Sequence, residues 1–347
     1  MAQGRKMKPV GTALPAALVI ACLLVCAWNL IAAAVPSAPA YQILKRYTIP
    51  GSGALGAVRV DPAAHRIYVA TAGRVEVLNA DTGKKEGQIP IKDARDILLV
   101  PQFKRGFVTS GAGASITIFS TDSLRIIKVL PAKGTNADSL AYDPGLKRVF
   151  YTDAGSGDIG AVSADSGDLI SSENLQQHVG SAVANGYGEV FATDEGRNTI
   201  DVLDSRALKF LGDFPLDAGC QPSSLALDPR GRRLFVACTD GWLQVIDTDI
   251  GFTFEKLPIG KGAGDADFTF LPQGADGWKG AVFVATNDGT LSFVRMDAFI
   301  HYSNGGALTL PPGIRSLAYD SSTHDLYVSN GSAIIVIGPS KPASKPQ

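Results

Sequence analysis

The chain has 347 residues, of which 45% are hydrophobic and 19% are charged, and its formal net charge is −1. This composition is typical of a globular protein with a large core. Without Arg5, Lys6 and Lys8 the net charge becomes −4, and no basic run remains. Nonspecific binding to nucleic acid requires clustered lysine and arginine, so we expect no nucleic-acid partner.

The first 40 residues have the pattern of a targeting segment. Three basic residues precede an almost wholly apolar run at 14–35, and Ala38, Pro39 and Ala40 resemble a cleavage site. A secretory signal peptide has this order of features. The apolar run is long for a signal peptide, so an uncleaved membrane anchor is the alternative. Both interpretations predict an exported protein, periplasmic or extracellular, that contacts the membrane only through residues 1–40 if they are retained.

From residue 41 onward, a unit of four short apolar runs recurs seven times. In the clearest copy the first three runs occupy 225–227, 234–238 and 242–246, and Asp-Pro, Arg-Gly-Arg and Asp-Gly turns separate them. Such runs between tight turns are typical of antiparallel strands. The second run of each copy begins with an aromatic residue, at Tyr68, Phe107, Phe150, Phe191, Phe235, Phe283 and Tyr327.

Equivalent positions lie about 40 residues apart, which is the period of a propeller blade. We predict an all-β fold at 41–339, a seven-bladed β-propeller of four-stranded antiparallel blades, followed by a disordered tail at 340–347. The seventh copy has only three strands, while a lone strand precedes the first copy. We expect residues 44–49 to pair with 334–337, so that the N-terminal strand closes the ring and leaves no open sheet edge. We also expect a monomer.

The signature of the second strands resembles the YVTN repeat family of propellers and the YncE-like proteins within it. The resemblance covers about residues 41–338, although only Tyr68 and Tyr327 keep the tyrosine and only Asn330 keeps the terminal asparagine. It implies a propeller scaffold. It implies no particular reaction, because one fold supports many functions.

Two of the four cysteines, Cys22 and Cys26, lie in the targeting segment. Cys220 precedes the first strand of the fifth copy, and Cys238 ends its second strand. Antiparallel neighbours bring these ends together, so we expect a disulfide in an exported protein. Two buried free thiols are the alternative.

Catalytic and cofactor motifs are missing from the sequence. Two matches to G-x-G-x-x-G, at 51–56 and 155–160, precede no helical pattern, which a nucleotide site would require. Sequence motifs of serine hydrolases, zinc proteases and EF-hands are also missing. We therefore expect no bound cofactor, with a divalent metal at the channel mouth as the one exception considered below.

The first strand of each blade is expected to line a central channel. Aligning the copies at the turn after this strand places one residue per blade at the mouth: Gly56, Arg95, Asp138, Gly180, Ser223, Ala266 and Arg315. The next position contains Ala57, Asp96, Ser139, Ser181, Ser224, Asp267 and Ser316.

We predict a ligand site formed by the charged members of these positions and by one histidine just outside: Arg95, Asp96, Asp138, Asp267, Arg315 and His178. Asp265 is also expected just outside these positions. Arginine can bind a carboxylate or phosphate through two hydrogen bonds, so a small anionic or zwitterionic ligand fits this set. Asp96, Asp138 and Asp267 are also candidate ligands for a metal. The alternative is a group of salt bridges that only stiffens the mouth.

Three functions are consistent with these features. The first is an exported binding or interaction scaffold for a small molecule or an envelope protein, which the lack of catalytic motifs favours. The second is a hydrolase that resembles the propeller lactonases and uses the arginine and aspartate residues of the mouth. The third is a non-catalytic subunit of a periplasmic redox enzyme. No C-x-x-C-H sequence is present, so this chain would not carry haem itself.

Overall fold

The computed structural model describes residues 41–340, except for residue 112 and the ranges 271–279 and 299–300. The predicted targeting segment at 1–40 and the tail from 341 onward therefore lie outside the described residues. The described part of the chain contains 28 strands and one 3-10 helix, Pro101–Phe103. Within this part, no helix has the length and apolar character needed to cross a bilayer.

The strands form seven four-stranded antiparallel sheets, which are the blades. Blades 1 to 3 contain, in order, β2 (Val58–Asp61), β3 (Arg66–Ala70), β4 (Val75–Asn79) and β5 (Lys85–Ile89); β6 (Ala94–Val100), β7 (Arg105–Ser110), β8 (Ser115–Ser120) and β9 (Ile126–Pro131); and β10 (Ser139–Asp143), β11 (Arg148–Asp153), β12 (Asp158–Ser163) and β13 (Leu169–Asn174). Blades 4 to 6 contain β14 (Val179–Ala184), β15 (Glu189–Asp194), β16 (Thr199–Asp204) and β17 (Phe210–Pro215); β18 (Pro222–Asp228), β19 (Arg233–Cys238), β20 (Trp242–Asp247) and β21 (Phe252–Pro258); and β22 (Ala263–Thr269), β23 (Gly280–Thr286), β24 (Thr290–Ala298) and β25 (His301–Thr309). Blade 7 contains β26 (Ile314–Tyr319), β27 (Leu326–Asn330) and β28 (Ala333–Pro339), and the N-terminal strand β1 (Tyr41–Thr48) is its fourth strand.

The blades form a closed ring. The first strand of each blade, called the inner strand below, contacts the inner strand of the next blade, and β26 of blade 7 contacts β2 of blade 1. The predicted seven-bladed propeller is therefore confirmed. Its channel lies along the inner strands, and the end at which these strands begin is called the mouth.

Strand β1 closes the ring as predicted. It pairs antiparallel with β28, from Tyr41 opposite Pro339 to Thr48 opposite Ala333, and so begins earlier than residue 44. The ring of Tyr41 stacks on Phe293 at a centroid distance of 5.1 Å and contacts Phe283 edge-on at 5.5 Å. The N-terminal strand is therefore held both by a β-ladder within blade 7 and by aromatic packing against blade 6.

The repeated aromatic residue of the second strands is a packing residue. All seven of these side chains are buried, with exposed fractions of 0–2%. Each second strand has a strand of its own blade on both sides, so its side chains face the two neighbouring blades. The signature therefore fills the space between blades, and this position explains why it recurs in every copy.

Cys220 and Cys238 form a disulfide within blade 5. Cys238 is the last residue of β19 and lies opposite Pro222, the first residue of β18. Cys220 comes two residues before Pro222. The antiparallel pairing of β18 and β19 thus places both thiols at the same end of the blade.

Candidate functional site

The seven inner strands enclose a cavity of about 1030 Å³ that extends from the mouth to the turns after the inner strands. All seven blades contribute lining residues. A concave space of this size, lined by both polar and apolar groups, is the usual location of a small-molecule site.

A repeated hydrogen bond sets the register between neighbouring inner strands. In each case an aspartate or serine side chain accepts a bond from a backbone N–H of the next blade. The backbone N–H of Leu140 donates to Asp96 (3.0 Å), that of Ala182 to Ser139 (3.3 Å), that of Leu317 to Asp265 (3.2 Å) and that of Val58 to Ser316 (3.1 Å). The equivalent residues form the channel ring: Ala57, Asp96, Ser139, Ser181, Ser224, Asp265 and Ser316.

The channel ring corrects the sequence alignment in blade 6, where Asp265 occupies the position predicted for Asp267. Asp265 lies opposite Ala285 on β23, just as Ser224 lies opposite Ala237 in blade 5. Blade 6 has no Asp-Pro pair after its inner strand, and the nearest proline, Pro272, comes three residues after β22 ends at Thr269. Ten residues separate β22 from β23, against four to six between the first two strands of the other blades, and the proline that follows β22 stands two residues later in the sequence. The mouth position of blade 6 accordingly belongs to Gly264 rather than to Ala266.

Arg59 is at the centre of the charged cluster, although it is not among the residues predicted from the sequence. Its Nη2 donates a hydrogen bond to Asp96 Oδ1 at 2.9 Å, and its Nη1 lies 3.4 Å from Asp265 Oδ2. Nη1 also donates to Ser316 Oγ at 3.2 Å. One side chain on blade 1 thus connects blades 2, 6 and 7. An arginine between two valines of an inner strand is the sequence signal that could have revealed it.

The charges of this cluster do not balance, because Arg59 faces three carboxylates. Burial would lower the pKa of Arg59, but the carboxylates of Asp96 and Asp265 raise it, so the guanidinium stays protonated. Burial raises the pKa of Asp96. Burial, together with the charge of Asp265, raises the pKa of Asp267 to about 6, against the opposing effect of Arg59.

Three of the predicted site residues lie at the mouth. Arg95 is 48% exposed and forms one ion pair, with Asp93 at 3.2 Å. Asp138 accepts hydrogen bonds from Asn136 Nδ2 at 2.5 Å and from the N–H of Ala154 at 3.3 Å. Burial is the main cause of the raised pKa of Asp138. These contacts orient Asp138 toward the neighbouring loops of blade 3.

Arg315 differs from the other charged residues of the channel. Its side chain is exposed and lines the cavity, and it has no hydrogen bond or ion pair within the described part of the chain. Gly56 of blade 1 occupies the mouth position between Arg315 on blade 7 and Arg95 on blade 2. Gly56 contributes no side chain at this position of the ring.

The predicted site residues thus fall into three groups. Arg95, Asp138 and Arg315 line the mouth, whereas Asp96 and Asp267 lie deeper beside Arg59. His178 is exposed, its Nδ1 lies 3.2 Å from the carbonyl oxygen of Ala154, and it does not line the cavity. Among the described residues, no group of three or more histidine, cysteine, aspartate or glutamate side chains is arranged to hold a metal ion.

The fold and the channel define the class of this protein: a seven-bladed β-propeller with a charged, solvent-accessible channel. No model of a known protein family matches the sequence, and no curated protein matches it either.

Proposed function

We propose that this protein is an exported binding scaffold whose channel mouth binds a small ligand through a carboxylate or phosphate group. The observation that carries the proposal is the state of Arg315, an exposed guanidinium at a concave site with no partner among the described residues. A guanidinium offers two parallel N–H donors that match a carboxylate or a phosphate. Arg95 lies across the gap at Gly56 and can supply a second cation.

The distribution of charge along the channel supports the mouth as the place for the anionic group. Arg59 already binds Asp96 and Asp265, and Asp267 adds a third acidic group nearby. An anion at that depth would meet more negative than positive charge. The anionic group is therefore expected to stay at the level of Arg315 and Arg95.

Export and family membership are parts of the same proposal. Export is supported by the basic and apolar pattern of residues 1–40, and the disulfide of blade 5 is compatible with an oxidising compartment. The second-strand signature supports a relationship to YVTN-repeat propellers. We propose a monomer, with an envelope protein as an alternative partner at the loops around the mouth.

One observation favours a hydrolase as the second candidate. The pKa of Asp267, raised to about 6, falls in the range where a carboxyl group can exchange protons at neutral pH. Hydrolysis of a lactone panel by the wild-type protein, lost in Asp267→Asn, would support this candidate. A divalent metal bound at the mouth belongs to the same candidate and can be tested by elemental analysis of the purified protein.

The binding proposal is tested by calorimetric titration with inorganic phosphate and with acetate. Arg315→Gln should weaken binding roughly tenfold to a hundredfold, since a hydrogen bond to a charged group contributes about 1.5–3 kcal/mol. Arg95→Gln should have a smaller effect, because Asp93 already engages that guanidinium. Arg125→Gln is the control, since Arg125 is exposed on the turn between β8 and β9. Unchanged affinity in Arg315→Gln would refute a binding site at the mouth.

A further inference from the structure

Below the channel ring, the wall of the channel becomes largely apolar. The residue two positions after each channel-ring residue belongs to a second ring, called the lower ring. Its members are Arg59, Leu98, Ala141, Val183, Ala226, Asp267 and Ala318. Its two charged members belong to blades 1 and 6. Blades 2–5 and blade 7 contribute only apolar side chains, so one side of the channel is charged and the opposite side is apolar.

The apolar side leaves open space in the channel. Ala141, Ala226 and Ala318 are small, and each is 4% exposed. Leu98 and Val183 are partly exposed where they line the cavity. Covering apolar surface that faces water inside a cavity with an apolar group lowers the free energy. The apolar side of the lower ring is therefore suited to an apolar part of a ligand.

The same character continues toward the far end of the channel. Val60, Tyr142, Leu227 and Tyr319 line this part of the cavity, followed by Pro144 and Pro229 at the turns. A polar ligand body here would lose water and regain few hydrogen bonds, which is unfavourable. The channel thus combines a mouth that carries two arginines, of which Arg315 has no acidic partner among the described residues, with an interior that is apolar on one side, about 1030 Å³ in all.

We propose that the ligand is a small amphiphilic anion, with its carboxylate or phosphate at Arg315 and Arg95 and its hydrocarbon body along the apolar side of the lower ring. This inference rests on the proposed function, because it uses the same mouth site for the anionic group. The hydrocarbon body passes Arg59 on the side of blades 2–5, where Leu98, Ala141, Val183 and Ala226 lie. The Arg59 ion pairs remain intact in this arrangement.

The test is a calorimetric titration of the protein with acetate, hexanoate and octanoate, each below its micelle-forming concentration. Burial of one methylene group is worth a factor of about four in affinity. Octanoate has two more methylene groups than hexanoate and should therefore bind about fifteenfold more tightly, and acetate should bind most weakly. Arg315→Gln should weaken all three acids, since they share the carboxylate.

A variant of the lower ring separates the hydrocarbon contact from the mouth. Val183→Thr keeps the shape of the side chain but replaces a methyl group by a hydroxyl group, and it should weaken octanoate binding about threefold to tenfold while leaving acetate unchanged. Val129→Thr is the matched control, because Val129 is 55% exposed on the outer strand β9. The melting temperature of each variant shows whether the fold is retained.

The outcomes distinguish this inference from the proposed function. Equal affinities for acetate and octanoate, both sensitive to Arg315→Gln, would overturn the amphiphile and leave the mouth site standing. Octanoate binding that is insensitive to both Arg315→Gln and Val183→Thr would also overturn it, because the acid would then bind elsewhere. If neither phosphate nor any of the acids binds, the proposed function fails, and this inference fails with it.

Discussion

The guanidinium of Arg59 on blade 1 reaches the carboxylate of Asp265 on blade 6, with Nη1 and Oδ2 3.4 Å apart, although blade 7 lies between these two blades. Arg59 also binds Asp96 of blade 2 at 2.9 Å. Blade 7 is the one assembled from both ends of the propeller, so its position in the ring relies on contacts with its neighbours. The Arg59 cluster ties together the two blades that flank it.

We predict that Arg59→Met lowers the free energy of unfolding by about 1–3 kcal/mol. Breaking a fully buried ion pair costs about 3–5 kcal/mol, because the remaining charge is left unpaired. The cost is smaller here, since the Arg59 side chain is 30% exposed and water in the channel can solvate Asp96 and Asp265. Urea unfolding measures the change. Arg125→Met is the control, and equal stabilities of the two variants would contradict a structural role for Arg59.

We predict that Asp267→Asn stabilises the protein at pH 8 but not at pH 4. Burial raises the pKa of Asp267 from 3.8 to about 6, so the folded state holds this proton more tightly than the unfolded state. The corresponding stabilisation is present below pH 4 and is lost as the pH rises through 6. Asparagine removes this loss, which is worth about 1–3 kcal/mol above pH 7.

The measurement is a pair of stability profiles from pH 4 to pH 8. The pKa of Asp201 is also raised to about 6, mainly by burial, so both proteins keep a slope from that residue. Only the difference between the two profiles reports on Asp267. Parallel profiles would show that Asp267 does not titrate in this range.

We predict that Tyr41→Ala destabilises the propeller by about 3–5 kcal/mol, as expected when a large aromatic side chain is removed from a core. Tyr41 is 4% exposed and packs against Phe283 and Phe293 of blade 6. Ile43→Ala on the same strand is the matched control, because Ile43 is 50% exposed and should change stability by less than about 1 kcal/mol. Comparable melting temperatures for the two variants would argue against ring closure through Tyr41.

We predict that protein purified without reductant has no free thiol at Cys220 or Cys238. Replacement of both by alanine should cost about 3 kcal/mol in the chain-entropy model, given a sequence separation of 18 residues. Alkylation without reductant, followed by mass spectrometry, counts the thiols, and thermal unfolding measures the stability. Alkylation of Cys220 and Cys238 in the native protein would refute the pairing under these conditions.

Much of the fold follows from local patterns that sequence alone contains. Strands separated by tight turns, repeated at a fixed period, predict blades, because side-chain alternation and turn conformation depend on near neighbours in the chain. Ring closure also follows, since a copy with three strands leaves an edge that the lone strand near Tyr41 can cover. Arg95, Asp138 and Arg315 were placed at the mouth by the same reasoning, and the structure has them there.

The deeper part of the channel depended on tertiary structure. The position of Asp265 could not be derived from the proline that follows it, because hydrogen bonds to blade 7 set the register of β22, while the number of residues between β22 and β23 differs from that in the other blades. The partners of Arg59 belong to three other blades, far away in the sequence. Sequence determined the number and order of the strands, which are local properties. The ring placed distant charged residues around one channel, and only that placement decided which of them pair and which, like Arg315, face the solvent.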